Sequence, residues 1–170
     1  RPIWTLAGYL AQGPVGENEW DRRNVPYEVA NAEHLAMSDH IGMINLSHFA
    51  IFDIEGADAE RLLESLSVAR IGGDTGFGRV VYTNFLNRFG GVQADLTICR
   101  LSETRFRVVT GGADGNRDFF WIRNARDDAG LEASIDLRTH ALATLGFWGP
   151  DARHVLPAFV YPTDLAALNT

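Results

Sequence analysis

Between Val92 and Cys99 the chain alternates without a break: Val92, Ala94, Leu96 and Ile98 fall on one side, and Gln93, Asp95, Thr97 and Cys99 on the other. A period of two belongs to an extended strand, because a helix would scatter the same residues around its axis. Such a strand must bury one face and leave the other polar. Its neighbours extend the constraint. Arg79–Leu86 is also strand-like, and Asn87-Arg88-Phe89-Gly90 between the two reads as a hairpin turn. A short turn at Ser102–Thr104 leads into a third strand, Arg105–Thr110.

The remaining segments mix helix and strand. Residues Arg1 to Tyr27 lack a clear period and read as an irregular aromatic arm that docks through Trp4, Tyr9, Trp20 and Tyr27; the domain proper then runs from residue 29 to residue 170. A helix is expected from Val29 to about His40, with Ala30, Leu35 and Ala36 on one face and Gly42 ending it. Phe49–Ile54 reads as a strand closed by Gly56. Asp58 then stands in the first turn of a helix whose apolar stripe is Leu62, Leu63 and Leu66. Asp114 or Asn116 can cap a helix running towards Ala125. Leu131–Leu137 and Ala141–Phe147 are further strand candidates, followed by a short helix at Pro150–Leu156 and a turn starting at Thr163. Three strands in succession, followed by strands separated by helices, predict an α+β fold: an antiparallel sheet with packed helices.

The hairpin brings chemistry-bearing side chains together. With a four-residue loop at Asn87–Gly90, Leu86 pairs with Gly91, Tyr82 faces Asp95 and Val80 faces Thr97. Directly opposed side chains lie about 4.5–5.5 Å apart at Cβ, so a carboxylate, a phenol and a hydroxyl line one patch. Spacing alone leaves two readings open. Polar residues on a strand are ordinarily the solvated face of a half-covered sheet, yet Asp is depleted in strand interiors, and an Asp between Ala94 and Leu96 points to a ligand site.

Composition excludes several chemistries. All 15 basic residues are arginine and none is lysine, which removes Schiff-base catalysis and the lysine of a phosphate-binding loop. The net charge of −7 argues against a nonspecific nucleic-acid binder. The lone Cys99 cannot form an internal disulfide, and a reduced compartment is expected. No apolar run reaches the roughly 18 residues that span a bilayer, so a soluble protein is expected. His34, His40, His48, His140 and His154 show no metal spacing, and no metal is assigned. Gly72–Gly78 lacks the G-x-G-x-x-G pattern and reads as a link, whereas Thr110–Gly115 sits between a strand and a helix, a place where anions bind, and reads either as a ligand contact or as a plain capped turn.

The run Gly78–Asn87 followed by Gly90–Thr97 resembles the folate-binding domain shared by the glycine-cleavage T-protein (aminomethyltransferase) and the C-terminal halves of sarcosine and dimethylglycine dehydrogenases and oxidases. Further matches follow in order: Glu33-His34, Gly42–Phe49, Gly56–Ala59, Phe106–Gly111, Asp118–Ile122 and Gly149–Ala152. Nearly the whole chain is covered. Arg1–Trp4, Tyr82-Thr83 and Asp95-Leu96-Thr97 look more like the flavoenzyme-fused branch, while the T-protein carries paired aspartates where this chain has Ala94-Asp95.

The resemblance implies tetrahydrofolate as cofactor and one-carbon transfer from an amine or imine to give 5,10-methylenetetrahydrofolate. It implies Asp95 as the catalytic carboxylate, and Tyr82, Asp95, Thr97, Val109, Thr110 and Gly111 as folate-binding positions. FAD would belong to an upstream flavin domain or a second subunit. The other implied partners are the small-molecule folate and amine, with no nucleic acid or membrane, and the implied location is the cytoplasm, or the mitochondrial matrix of a eukaryote. The family's pterin-clamping glutamate lies beyond the position of Thr170, so the chain is expected to carry the first part of the module and a half-site. A non-catalytic folate-binding or docking module, and a folate-dependent demethylase, stand as alternatives.

Overall fold

Two compact units divide the described residues of the computed structural model, which are 27–73 and 76–159. The larger unit, Leu46–Thr144, is built on a five-stranded sheet. Its strands are β2 (Ala50–Glu55), β3 (Val80–Leu86), β4 (Val92–Arg100), β5 (Arg105–Thr110) and β6 (Ser134–Leu137), in the order β3-β4-β5-β2-β6. Every pairing is antiparallel. Helices α2 (Ala59–Leu66) and α3 (Gly115–Ala129) belong to the same unit. The mixed antiparallel architecture is the one the strand grouping predicts.

Alternation puts Phe52, Ile54, Leu96, Ile98, Phe106 and Val108 on one face, all but fully buried with Leu62 and Leu63 of α2 and Ile122 of α3. Each such side chain contributes roughly 1.5–3 kcal/mol on leaving water. Helix α3 ends at Gly130, whose φ of 61° supplies the left-handed cap, and Leu131 N–H closes on the carbonyl of Arg126 at 3.0 Å. That closure delays β6 to Ser134, three residues later than expected. The outer edge of β3 is covered by the link after α2, where Val68 N–H donates to the Asn84 carbonyl and Ala69 N–H to Thr83 Oγ1, both at 3.0 Å.

The smaller unit contains helix α1 (Tyr27–Asp39) and a two-stranded sheet of β1 (Gly42–Asn45) with β7 (Leu145–Trp148), followed by the short α4 (Ala152–Val155). Strand β1 was not expected; its four residues carry no alternation to show it, and its partner lies far along the chain. Leu35, placed on the apolar face of α1, is 48% exposed. Of the aromatic arm expected over residues 1–28, residues 1–26 lie outside the described residues, as does the turn at Thr163, while residues 27 and 28 belong to α1 rather than to an irregular segment.

Candidate functional site

The hairpin register differs from the expected one by two residues, for two local reasons. Asn87 N–H donates to the Gly91 carbonyl at 2.9 Å, so the turn spans Arg88-Phe89-Gly90 with Gly90 at φ 79°, and Asn87 Oδ1 accepts from Phe89 N–H and Gly91 N–H. Leu86 then pairs with Val92 but Phe85 with Ala94, which leaves Gln93 as an extra, bulged residue. Tyr82 therefore faces Thr97, Val80 faces Cys99 and Asn84 faces Asp95. A one-residue shift would have turned every side chain over; two residues preserve the faces. Tyr82 still reaches Asp95 on the diagonal, and its Oη donates to Asp95 Oδ2 at 2.7 Å. This hydrogen bond, with the carboxylate charge beside it, holds the Tyr82 phenol above its ordinary value.

A cavity of about 550 Å³ opens on this face, within the range of small-molecule sites. Of the residues singled out from the sequence, Tyr82, Asp95, Thr97, Val109, Thr110 and Gly111 all line it. Their roles in the wall differ. Tyr82 is 64% exposed and Thr97 and Val109 are half-buried on the open face, whereas the Thr110 side chain turns to the core, its hydroxyl donating to Asp118 Oδ2 at 2.6 Å. Gly111 begins the lip. A Cβ at the next residue, Gly112, would collide with the carbonyl of His48, so only glycine lets the lip lie this close.

Phe49, Gln93 and Arg117 also line the cavity without having been assigned to a site, and so does Asp114, which the sequence offers as a helix cap within the Thr110–Gly115 turn. Gln93 shares the polar side of the alternating strand, a legible signal. Arg117 needs three dimensions: its Nε donates to the buried Asp118 at 3.1 Å and its Nη1 meets Asp114 at 3.0 Å. Asp114 stands at the N-cap of α3 as expected but makes no side-chain cap hydrogen bond.

The same face carries a second carboxylate. Asp53 on β2 is almost fully buried, accepting from Arg107 Nε at 2.7 Å, Arg107 Nη2 at 3.0 Å and Arg105 Nη2 at 2.7 Å. Those donors, Arg107 first, hold its pKa below the usual carboxylate value against the opposing effect of burial. Cys99, opposite Arg107, has its thiol pushed up by burial, which leaves little thiolate for nucleophilic attack. Among the described residues no helix is long and apolar enough to cross a membrane.

Comparison with known proteins gives a consistent result. The family "GCVT N-terminal domain" matches residues 4–169. The mitochondrial dimethylglycine dehydrogenase of Mus musculus is 33% identical over 135 residues, 79% of this chain and 15% of that protein. An aminomethyltransferase of Symbiobacterium thermophilum is 31% identical over 170 residues, 99% of this chain and 44% of that protein. A 4-methylaminobutanoate oxidase (formaldehyde-forming) of Paenarthrobacter nicotinovorans is 36% identical over 149 residues, 88% of this chain and 18% of that protein. The chain thus spans less than half the length of each of these relatives. The crystal structure of glycine cleavage system aminomethyltransferase T from Bartonella henselae superposes with a TM-score of 0.66 at 26% identity, covering 78% of this chain and 36% of that one.

Proposed function

The chain belongs to the GCVT N-terminal domain family, and on that premise we propose that it forms part of a tetrahydrofolate site at which a one-carbon unit from an amine or imine becomes 5,10-methylenetetrahydrofolate. The observation that carries this reading is the Asp95 carboxylate in the cavity, held through Oδ2 by Tyr82. Tetrahydrofolate supplies the weakly basic amine that takes up the carbon. The chain's own task is to remove the proton that nitrogen sheds as the new carbon–nitrogen bond forms, and to stabilise the positive charge until it does. A carboxylate placed there is worth about 10²–10⁴-fold in rate. With Oδ2 committed to Tyr82, Oδ1 is left as the acceptor.

The surroundings suit the ligand. Val109 and Phe49 give an apolar wall for a ring system, Thr97 stands across from Tyr82, and Gly111 allows close approach of the backbone. The carbon donor is an N-methylated amine, in keeping with the names of two relatives; the FAD that would oxidise it would be held by an upstream domain or second subunit and not by residues of this chain. In the intact protein, Asp95→Asn is expected to cut methylenetetrahydrofolate formation by about 10²–10⁴-fold, with circular dichroism and melting temperature unchanged. Undiminished turnover by a folded Asp95→Asn protein would overturn the assignment.

A further inference from the structure

The face that carries Asp95 continues beyond the cavity. Asp95, Thr97 and Cys99 follow one another along β4, and the pairings Thr97 with Val109 and Cys99 with Arg107 carry the face to β5. Arg107 pairs in turn with Asp53, and Arg105 with Glu55, on β2. At about 3.3 Å per residue, Cys99 lies ~13 Å along the strand from Asp95, with Arg107 one strand further over.

Three guanidiniums converge there on one buried carboxylate. Asp53 has a side chain only 4% exposed, while Arg107, Arg105 and Arg138 above it are 29%, 40% and 42% exposed. Arg138 Nε stands 3.9 Å from Asp53 Oδ2. Two carboxylate oxygens cannot satisfy three guanidiniums with five donors each. The buried Nε atoms of Arg105 and Arg138 have no hydrogen-bond partner among the described residues. Two more carboxylates stand at the rim: the exposed Glu55, 3.8 Å from Arg105 Nε, and the exposed Asp136, which pairs across the sheet with Asp53. Arg107 gives Asp53 a bidentate pair, Arg105 adds one hydrogen bond through Nη2, and Arg138 stands beyond hydrogen-bond distance, so Arg105 and Arg138 both keep donors that Asp53 does not take.

We infer that this arginine row receives the anionic tail of the ligand, the glutamate carboxylates of a folate whose reacting amine lies at Asp95. The inference rests on the folate reading above. A folate is a pterin joined through an aromatic amide to a dicarboxylate, so its anionic end must lie one aromatic linker from the reacting nitrogen. Thr97 and Val109 form the half-buried ground between Asp95 and the row. The cavity's own cation, Arg117, is held by two carboxylates, Asp114 and Asp118, as Arg105 is by Asp53 and Glu55, whereas Arg138 meets Asp53 only at 3.9 Å. Arginine forks match carboxylates bidentately, and this chain has no lysine to do it instead.

The test is equilibrium binding to the intact protein of two probes, tetrahydrofolate and the tail-less 6-methyltetrahydropterin. The variant is Arg105→Gln combined with Arg138→Gln, which leaves Arg107 to hold Asp53. Tetrahydrofolate affinity should fall about tenfold or more, and 6-methyltetrahydropterin affinity should not change. Loss of neither ligand, or equal loss of both, overturns the inference. A second measurement needs no variant: raising salt should weaken wild-type binding of tetrahydrofolate more than that of the pterin, and equal salt dependence also overturns it. If the wild type binds neither probe, the folate reading itself falls; if it binds tetrahydrofolate but the tail contrasts fail, only the arginine assignment falls.

Discussion

The two faces of the five-stranded sheet are made by the same alternation and have opposite physics. On one, Phe52, Ile54, Leu96, Ile98, Phe106 and Val108 are buried against α2 and α3. On the other, two carboxylates stand in contrasting settings: Asp53 is sunk beneath three arginines, and Asp95 is open to a cavity with a single phenol donating to it. A buried charge survives only when paired, and an exposed one is free to act on a ligand. Stability should therefore reside on the core face and in the Asp53 cluster, and chemistry at Asp95. The largest expected effect tests the first half of that contrast. Phe106→Ala on the core face should cost about 3–5 kcal/mol in urea unfolding, while Thr97→Ala on the open face should fall within ~0.5 kcal/mol of wild type. Comparable losses at the two positions would erase the distinction.

Next in size is Arg107→Gln. It removes both hydrogen bonds of the bidentate pair while Arg105 remains on Asp53, so a loss of about 1.5–3 kcal/mol is expected by the same unfolding measurement. The double variant Arg107→Gln with Asp53→Asn should lose less than Arg107→Gln alone, because no buried charge is then left short of partners. If the double variant is the less stable, Asp53 is not a charge in need of its arginines.

The core face was legible because burial repeats the alternation from Ala94 onward: Ala94, Leu96 and Ile98 are buried and Asp95 is exposed, whereas Val92, expected on the buried side, is 64% exposed and lines the cavity because the bulge at Gln93 breaks the parity. The boundaries of β5 and the identity of the open face were equally readable. The hairpin register was not, because neither Gly90 nor Gln93 announces whether a turn holds three residues or four, or where a bulge will fall. Asp95 was still placed on the correct face because parity survives an even shift. The Asp53 cluster was out of reach for a different reason. It joins Asp53 on β2 to arginines on β5 and in the segment after β6, each more than fifty positions from Asp53 along the chain, and no local pattern encodes such a meeting. Strand β1 escaped for the same reason, since its pairing with β7 joins opposite ends of the described chain.

Acid titration sharpens the contrast between the two carboxylates. Asp53 has its pKa lowered in the folded state, chiefly by the Arg107 hydrogen bonds. A carboxyl with a depressed folded pKa stabilises the fold at pH values above its ordinary, unfolded value of 3.8, and that contribution disappears as pH falls through the folded value. Melting temperature measured downward from neutral pH should therefore drop in this acid window. In Asp53→Asn the drop should be shallower, from a lower starting point. An identical acid limb in the two proteins would show that the arginines do not hold Asp53 ionised.

The smallest effect is the most local. Tyr82 is exposed, and its hydrogen bond to Asp95 spans open surface, so removing it should leave the melting temperature where it was. The phenol itself should respond. The Tyr82 pKa stands above its ordinary 10.0, first through the hydrogen bond to Asp95, then through desolvation, and then through the Asp95 charge. In alkaline ultraviolet titration, Asp95→Ala should bring one of the four tyrosines down towards that ordinary value. The component that moves should be missing in Tyr82→Phe, which identifies it. If no component moves, Tyr82 does not hold Asp95 in solution, and the carboxylate enters the reaction without the fixed Oδ2 that leaves Oδ1 as its acceptor.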